Sequence, residues 1–304
     1  MSNSIEILKQ IYKPYRYTLK GNITLLQTTS GDFVVKPKRN DLKSIYNYLK
    51  SRNFDYYPNL IDDSRGDVHV FEYVEDTPMP KEQKAMDLIS LVALLHNKTT
   101  YYKVVSEDTF KSIYDTIKSN IDHLQNYYND LINKIHHIEY MSPSAYLIIR
   151  NSSKVFSSLS FCQSELDSWF ELVKEEKKQR VALIHNNLSL DHFIKNDKDY
   201  LISWDQSKID NPVLDFITFY KNDYFDLDFE TIFEHYLSKY PLNASEKKLL
   251  FIVISLPPKI EIKENEFDTC KSVRHALDYL FKTEELIRPY YSVQEENQSD
   301  NFNE

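Results

Sequence analysis

The 304 residues suffice for about two domains of roughly 150 residues each, and 41% hydrophobic content can fill a sizeable core. The formal net charge of -9 disfavours a nucleic-acid partner, because affinity there rests on Lys and Arg neutralising phosphates. Only three glycines occur, Gly21, Gly31 and Gly66, which excludes a glycine-rich loop of backbone amides around a phosphate.

A short helix is expected near Ser4–Tyr12. Strand-like runs follow, each closed by turn residues: "YRYTLK" before Gly21-Asn22, "ITLLQTT" before Ser30-Gly31, then "DFVVKPK". They predict a small antiparallel meander. "NDLKSIYNYLKSRNF" predicts a helix that Asn40 or Asp41 can cap. "PNLIDD" and "DVHVFEYVE", joined by Arg65-Gly66, predict another hairpin.

From Pro80 onward helices dominate. Leu88, Leu91, Val92 and Leu95 fall on one helical face. The apolar residues Phe110, Ile113, Ile117, Ile121, Leu124, Tyr128, Leu131, Ile135 and Ile138 mark a long amphipathic helix. Two capping boxes are expected: Ser160 with Gln163 before "ELDSWFELV", and Asn243 with Glu246 before "KKLLFIVISL". The last helix runs to about Arg288, where Pro289 stops it, and the polar tail "SVQEENQSDNFNE" reads as disordered. No internal repeat is visible.

The class is therefore α+β. A small antiparallel sheet with one helix spans 1–76, a larger helical part spans 77–288, and an acidic tail spans 289–304. A polar loop with short strands, 183–216, interrupts the helical part. Ligand sites favour the interface between two such lobes. Cys162 and Cys270 stand far apart and form no metal or redox motif. The N-terminus "MSNSIEILKQIYKPYRY" lacks a signal peptide's apolar core. The longest apolar runs, "LISLVALL" and "LLFIVISL", fall far short of the roughly 20 residues that cross a bilayer. The expectation is a reduced, cytoplasmic protein with no membrane span.

Five segments carry a resemblance: "GDFVVKP", "VFEYVED", "LVALLHN", "HNNLSLDHF" and "LISWDQSKIDNPVLDF". In this order and spacing they resemble the aminoglycoside phosphotransferase and choline kinase group of the protein-kinase-like fold. The nearest likeness is to spore-coat CotS-type proteins. The resemblance covers most of Tyr17 to Tyr220 and is strongest from Ile184 to Phe216. It implies a two-lobe fold with ATP and magnesium as cofactors. It implies that Lys36 faces phosphate, and that the strand around Glu72 and Val74 holds adenine through its backbone. His96 ends the family's Leu-His helix. His185 would brace the loop, and Pro212 with Asp215 would shape and cap the next helix.

The departures fall on the chemistry. The family writes the loop H-G-D-x-x-x-x-N-F and the following strand I-D-W-E. Asn187 stands at the catalytic aspartate's place, and an amide cannot take a hydroxyl's proton at neutral pH. His192 replaces the metal-binding asparagine, and Ser203 the metal-binding aspartate. Magnesium prefers hard, usually anionic oxygens, so His192 and Ser203 substitute poorly, and Asp205 is the nearest remaining acid for metal or catalysis. The helix after Lys36 holds no glutamate to pair with that lysine. Retained framework with altered chemistry is the pattern of a pseudokinase that acts by binding or scaffolding, toward a protein partner or a small molecule, in a spore coat or cell-envelope assembly. Two alternatives stay open: an active small-molecule phosphotransferase using Asp205 and Asp191, and a nucleotide sensor without turnover. For His123, His136 and His137, on a helix without paired ligand spacing, packing is the default.

Overall fold

The computed structural model describes Leu8, residues 10–62 and residues 67–291. The chain divides into two compact units, one from Met1–Thr100 with Ala182–Asp215, the other from Tyr101–Val181 with Phe216–Glu304.

The first unit is built on strand alternation. Strands β1 (Arg16–Lys20), β2 (Ile23–Thr28), β3 (Gly31–Pro37), β4 (Leu60–Asp62) and β5 (Val68–Glu72) form one antiparallel sheet in the order β1-β2-β3-β5-β4. Successive side chains point to opposite faces, so β2 buries Thr24, Leu26 and Thr28 and leaves Ile23, Leu25 and Gln27 half-buried. Leu26, Val35, Val68 and Val70 close over Leu8 as one apolar cluster. Lys20 and Ile23 are register partners across a two-residue turn, and Gly21 takes a φ of 57° there, a conformation that glycine adopts without Cβ strain.

Helix α1 (Leu42–Ser51) starts where expected. The Asp41 carboxylate accepts from the Ser44 amide and hydroxyl, and Leu42, Tyr46 and Leu49 form its buried stripe. Helix α2 (Lys81–Thr99) buries Leu88, Leu91, Val92 and Leu95 together, as their spacing predicts; the buried His96, expected to end it, lies in its last turn, and the helix continues to Thr99. The expected first helix is described only at Leu8 and residues 10–12, which are helical; the Arg65-Gly66 turn and residues 292–304 lie outside the described residues. The expected disorder is corrected at 289–291, which are helical, with Tyr291 donating to Glu165 at 2.6 Å and Tyr290 packed on Phe233.

Strand β6 (Tyr101–Val104) pairs with the start of β7 (Lys178–Ile184), Tyr101 opposite Val181. Strands β8 (Phe193–Lys195) and β9 (Asp199–Leu201) make a hairpin, and β10 (Lys208–Asp210) pairs with the end of β7, Lys208 opposite Ile184. The second unit is otherwise helical: α3 (Glu107–His136), α4 (Pro143–Val173), α5 (Val213–Asp223, begun in the first unit), α6 (Phe229–Lys239), α7 (Ala244–Ser255) and α8 (Glu266–Ile287). Trp169, Cys162 and Leu166 of α4 are buried in its core, as are Leu250 and Ile252 of α7 and Val273 of α8.

Two expectations for the helices are corrected. Ile138 lies beyond α3 and is 47% exposed. The capping box at Ser160 and Gln163 does not form, because α4 runs through it unbroken. The buried residues Val155, Leu159, Cys162, Leu166 and Trp169 keep a three-to-four spacing across Ser160, and burying that stripe outweighs a local stop signal. The helix begins instead at Ser142, whose hydroxyl accepts from the Ala145 amide, with Pro143 in its first turn. The second capping box forms as expected: Asn243 accepts from the Glu246 amide and Glu246 accepts from the Asn243 amide. Glu246, only 4% exposed, also receives a fork from the Arg180 guanidinium.

Candidate functional site

A cavity of about 340 Å³ opens within the first unit. Alternation on β2 and β3 aims Leu25, Val34 and Lys36 at it, and Tyr46, Phe71, Ile194 and Ile202 complete its apolar wall. Its polar lining includes Lys36, Glu72, Asp191, His192, Ser203 and Asp205, and Val74 lines it too. Pairing along β5 stops with the Tyr73 amide, which donates to Asp32 O at 2.9 Å.

Lys36 Nζ donates to Ser203 Oγ at 3.0 Å. Desolvation pulls the lysine below its usual value, while the Asp205 carboxylate pulls the other way. Ser203 sits in the left-handed region, with φ 67° and ψ 50°, and opens the short turn Trp204–Gln206. A side chain other than glycine costs roughly 1–2 kcal/mol there, least for Asn and Asp. The Asn40 amide holds that turn by donating to the Asp205 carbonyl.

The polar loop is organised around Asp215. Its carboxylate accepts from the amides of His185 at 2.8 Å and Asn186 at 2.6 Å, and lies 3.1 Å from His96 Nε2. The side chains of His96 and Asp215 are both 0% exposed. His185 Nε2 donates to Ile202 O at 2.8 Å, its ring meets Trp204 edge-on at 5.0 Å, and burial holds it below the usual histidine value. His192 Nδ1 donates to Asn187 O at 2.6 Å. The cap of α5 is corrected: Asn211 Oδ1 accepts from the Val213 amide at 3.1 Å, and Asp215, expected there with Pro212, turns inward to the loop. A carboxylate that collects two loop amides gains more charge-assisted hydrogen bonds than one at a helix end already capped by Asn211.

Of the residues singled out from sequence, Lys36, Glu72, Val74, His192, Ser203 and Asp205 line the one cavity. Asn187 does not line it; its carbonyl meets His192 instead. Glu72 spends its carboxylate on the Asn59 amide and side chain, at 2.8 and 2.9 Å. Among the described residues no group of three or more His, Cys, Asp or Glu stands ready to hold a metal ion. Asn40 and Trp204 went unassigned in the sequence. Trp204 lay in the I-D-W motif, but Asn40 showed only helix-cap chemistry.

The fold is shared with solved phosphotransferases. The chain is similar to an aminoglycoside phosphotransferase from Alicyclobacillus acidocaldarius, with a TM-score of 0.70, 9% identity and 93% of each chain covered. It is also similar to the AMP-bound spectinomycin phosphotransferase, with a TM-score of 0.55 and 12% identity, over 95% of this chain and 94% of that one. No family model and no curated protein matches the sequence. The chain has the protein-kinase-like fold of these enzymes, a small antiparallel sheet with a larger helical part. Among the described residues no helix is long and apolar enough to cross a membrane.

Proposed function

We propose that this protein is a kinase-fold binding protein: it takes a nucleotide into the cavity of its first unit and acts through that bound state, not through phosphoryl transfer. The observation that carries this is the 3.0 Å contact from Lys36 to Ser203. Phosphoryl transfer needs a lysine on the phosphates and carboxylate-held magnesium beside it. Here a neutral hydroxyl occupies the lysine's attention. The donor set fits magnesium poorly: Asp191 and Asp205 line the cavity, yet with His192 they do not gather into a three-ligand group. Loss of a general base at Asn187 costs about 10²–10⁴ in rate.

The apolar wall, with Val74 just past the last sheet bond, suits a flat base. Crystal structures of spectinomycin phosphotransferase with AMP and with ADP and spectinomycin share the fold. The partner that reads the bound state, a protein or a small molecule, and a place in the spore coat belong to this proposal on the sequence resemblance alone.

An active small-molecule phosphotransferase is the second reading, favoured by Asp191 and Asp205 in the lining of the same cavity. The test is a melting curve with ATP beside an ADP-release assay with magnesium. A rise in melting temperature with no ADP release is expected. ADP release that depends on an added acceptor would establish the second reading.

A further inference from the structure

A second cavity, of about 760 Å³, is lined by residues of the helical unit alone. Its charge is one-sided. Lys221, Lys259, Lys263 and Lys271 line it, against Asp268 as the only carboxylate in the lining. Such a bias runs against a chain of formal net charge -9.

The lysines stand on fixed backbone. Lys259 and Lys263 lie on the connection between α7 and α8. The Tyr128 hydroxyl donates to Pro258 O and the Tyr127 hydroxyl to Ile260 O. The Glu261 amide donates to Ser272 Oγ at 3.1 Å, and the Lys263 amide to Thr269 Oγ1 at 2.9 Å. A connection tied at four points presents its side chains at a lower ordering cost on binding. Asp268, Lys271 and His275 follow at helical spacing on one face of α8.

Two of the four cations are already engaged. Lys263 lies 4.0 Å from Glu261, and Lys259 sits 4.5 Å over the Tyr127 ring. Among the described residues Lys221 and Lys271 have no carboxylate partner. The Lys221 side chain is exposed, and packing around its ammonium pulls it below the usual lysine value. An exposed lysine without a carboxylate partner is open to an incoming anion.

We propose that this cavity binds a small polyanion, a molecule carrying two or more linked phosphate groups. Its volume falls in the range of about 300–1,000 Å³ typical of small-molecule sites. A single phosphate would fill a fraction of it, whereas a chain of phosphates can meet lysines delivered from α5, the α7–α8 connection and α8. The site is independent of the nucleotide reading, because its lining shares no residue with the first cavity.

The experiment is calorimetric titration of inorganic tripolyphosphate into the full chain at low ionic strength. It compares the wild type with Lys221→Gln, Lys271→Gln, their double variant, and Lys154→Gln, an exposed lysine of α4 outside both cavities. Each single variant loses a charged contact and should bind roughly tenfold more weakly, and the double variant roughly a hundredfold. Lys154→Gln should bind as the wild type does, and orthophosphate should bind far more weakly than tripolyphosphate. Lys221 and Lys271 are exposed, and matching melting curves will show that the variants fold. The proposal falls if the wild type does not bind tripolyphosphate, if the Lys221 and Lys271 variants bind it unchanged, or if Lys154→Gln weakens binding as much as they do.

Discussion

Lys36 donates its ammonium proton to Ser203 across 3.0 Å, joining β3 to the turn that follows β9. The contact joins a desolvated cation to a neutral acceptor on a left-handed backbone. Aspartate tolerates that backbone better than serine, so Ser203→Asp should fold without loss. It should also convert the contact into an ion pair and add an anionic oxygen beside Asp205. The expected outcome is ATP binding at least about tenfold tighter with magnesium than with a chelator, measured by calorimetry. Equal affinity under both conditions would mean that more than Ser203 keeps metal out.

Asn187→Asp should act differently. The wild-type side chain does not line the cavity, and its carbonyl is held by His192. The carboxylate would restore a base without touching the nucleotide contacts. ATP affinity should stay within about twofold. Turnover should appear only when Ser203→Asp is also present, because base and metal act on one transition state. An ADP-release assay on the two single variants and the double variant checks this.

Asp215 is the hub of the polar loop, and its loss should be severe. Asp215→Ala leaves the buried amides of His185 and Asn186 without an acceptor and removes the partner of buried His96. Breaking a buried pair in this way costs about 3–5 kcal/mol. Urea unfolding should show a loss of that size. A loss under about 1 kcal/mol would mean that water or another group replaces the carboxylate.

His185 sets a pH dependence. Burial lowers its folded-state value below the 6.5 of a free histidine. The unfolded chain therefore binds a proton first as pH falls, and stability drops below about pH 6.5 with a slope of up to about 1.4 kcal/mol per pH unit. Above that pH the group is neutral in both states and contributes no slope. His185→Gln keeps a donor for Ile202 O and removes the titration. Urea unfolding of both proteins between pH 7.5 and 5.5, a window chosen to span roughly one unit on each side of the free value, should show a shallower fall in the variant.

What was legible in the sequence follows from where each signal resides. The strands β2, β3 and β5 alternate or end in turn residues, so local pattern suffices. β6 shows no alternation because Tyr101–Val104 is exposed along its whole length, and an edge strand exposed on both faces leaves no period-two trace. Ser160 and Gln163 carried genuine cap chemistry, overruled by the apolar stripe through α4. In the site, Lys36, His192, Ser203 and Asp205 were readable from motif order. The hold of Asn40 on the Asp205 carbonyl was not, since that contact joins residues 165 positions apart. Asp215 was legible as a framework residue, but its task of binding two loop amides depends on the fold.

The central claim is nucleotide binding without metal-dependent turnover, and one measurement bears on it most directly. ATP is titrated calorimetrically into the wild-type chain with magnesium and with chelator, with Lys36→Ala as the comparison. The account predicts binding of equal strength in both conditions, lost or weakened roughly tenfold in Lys36→Ala. Binding that requires magnesium, or no heat of binding from ATP at all, would contradict it.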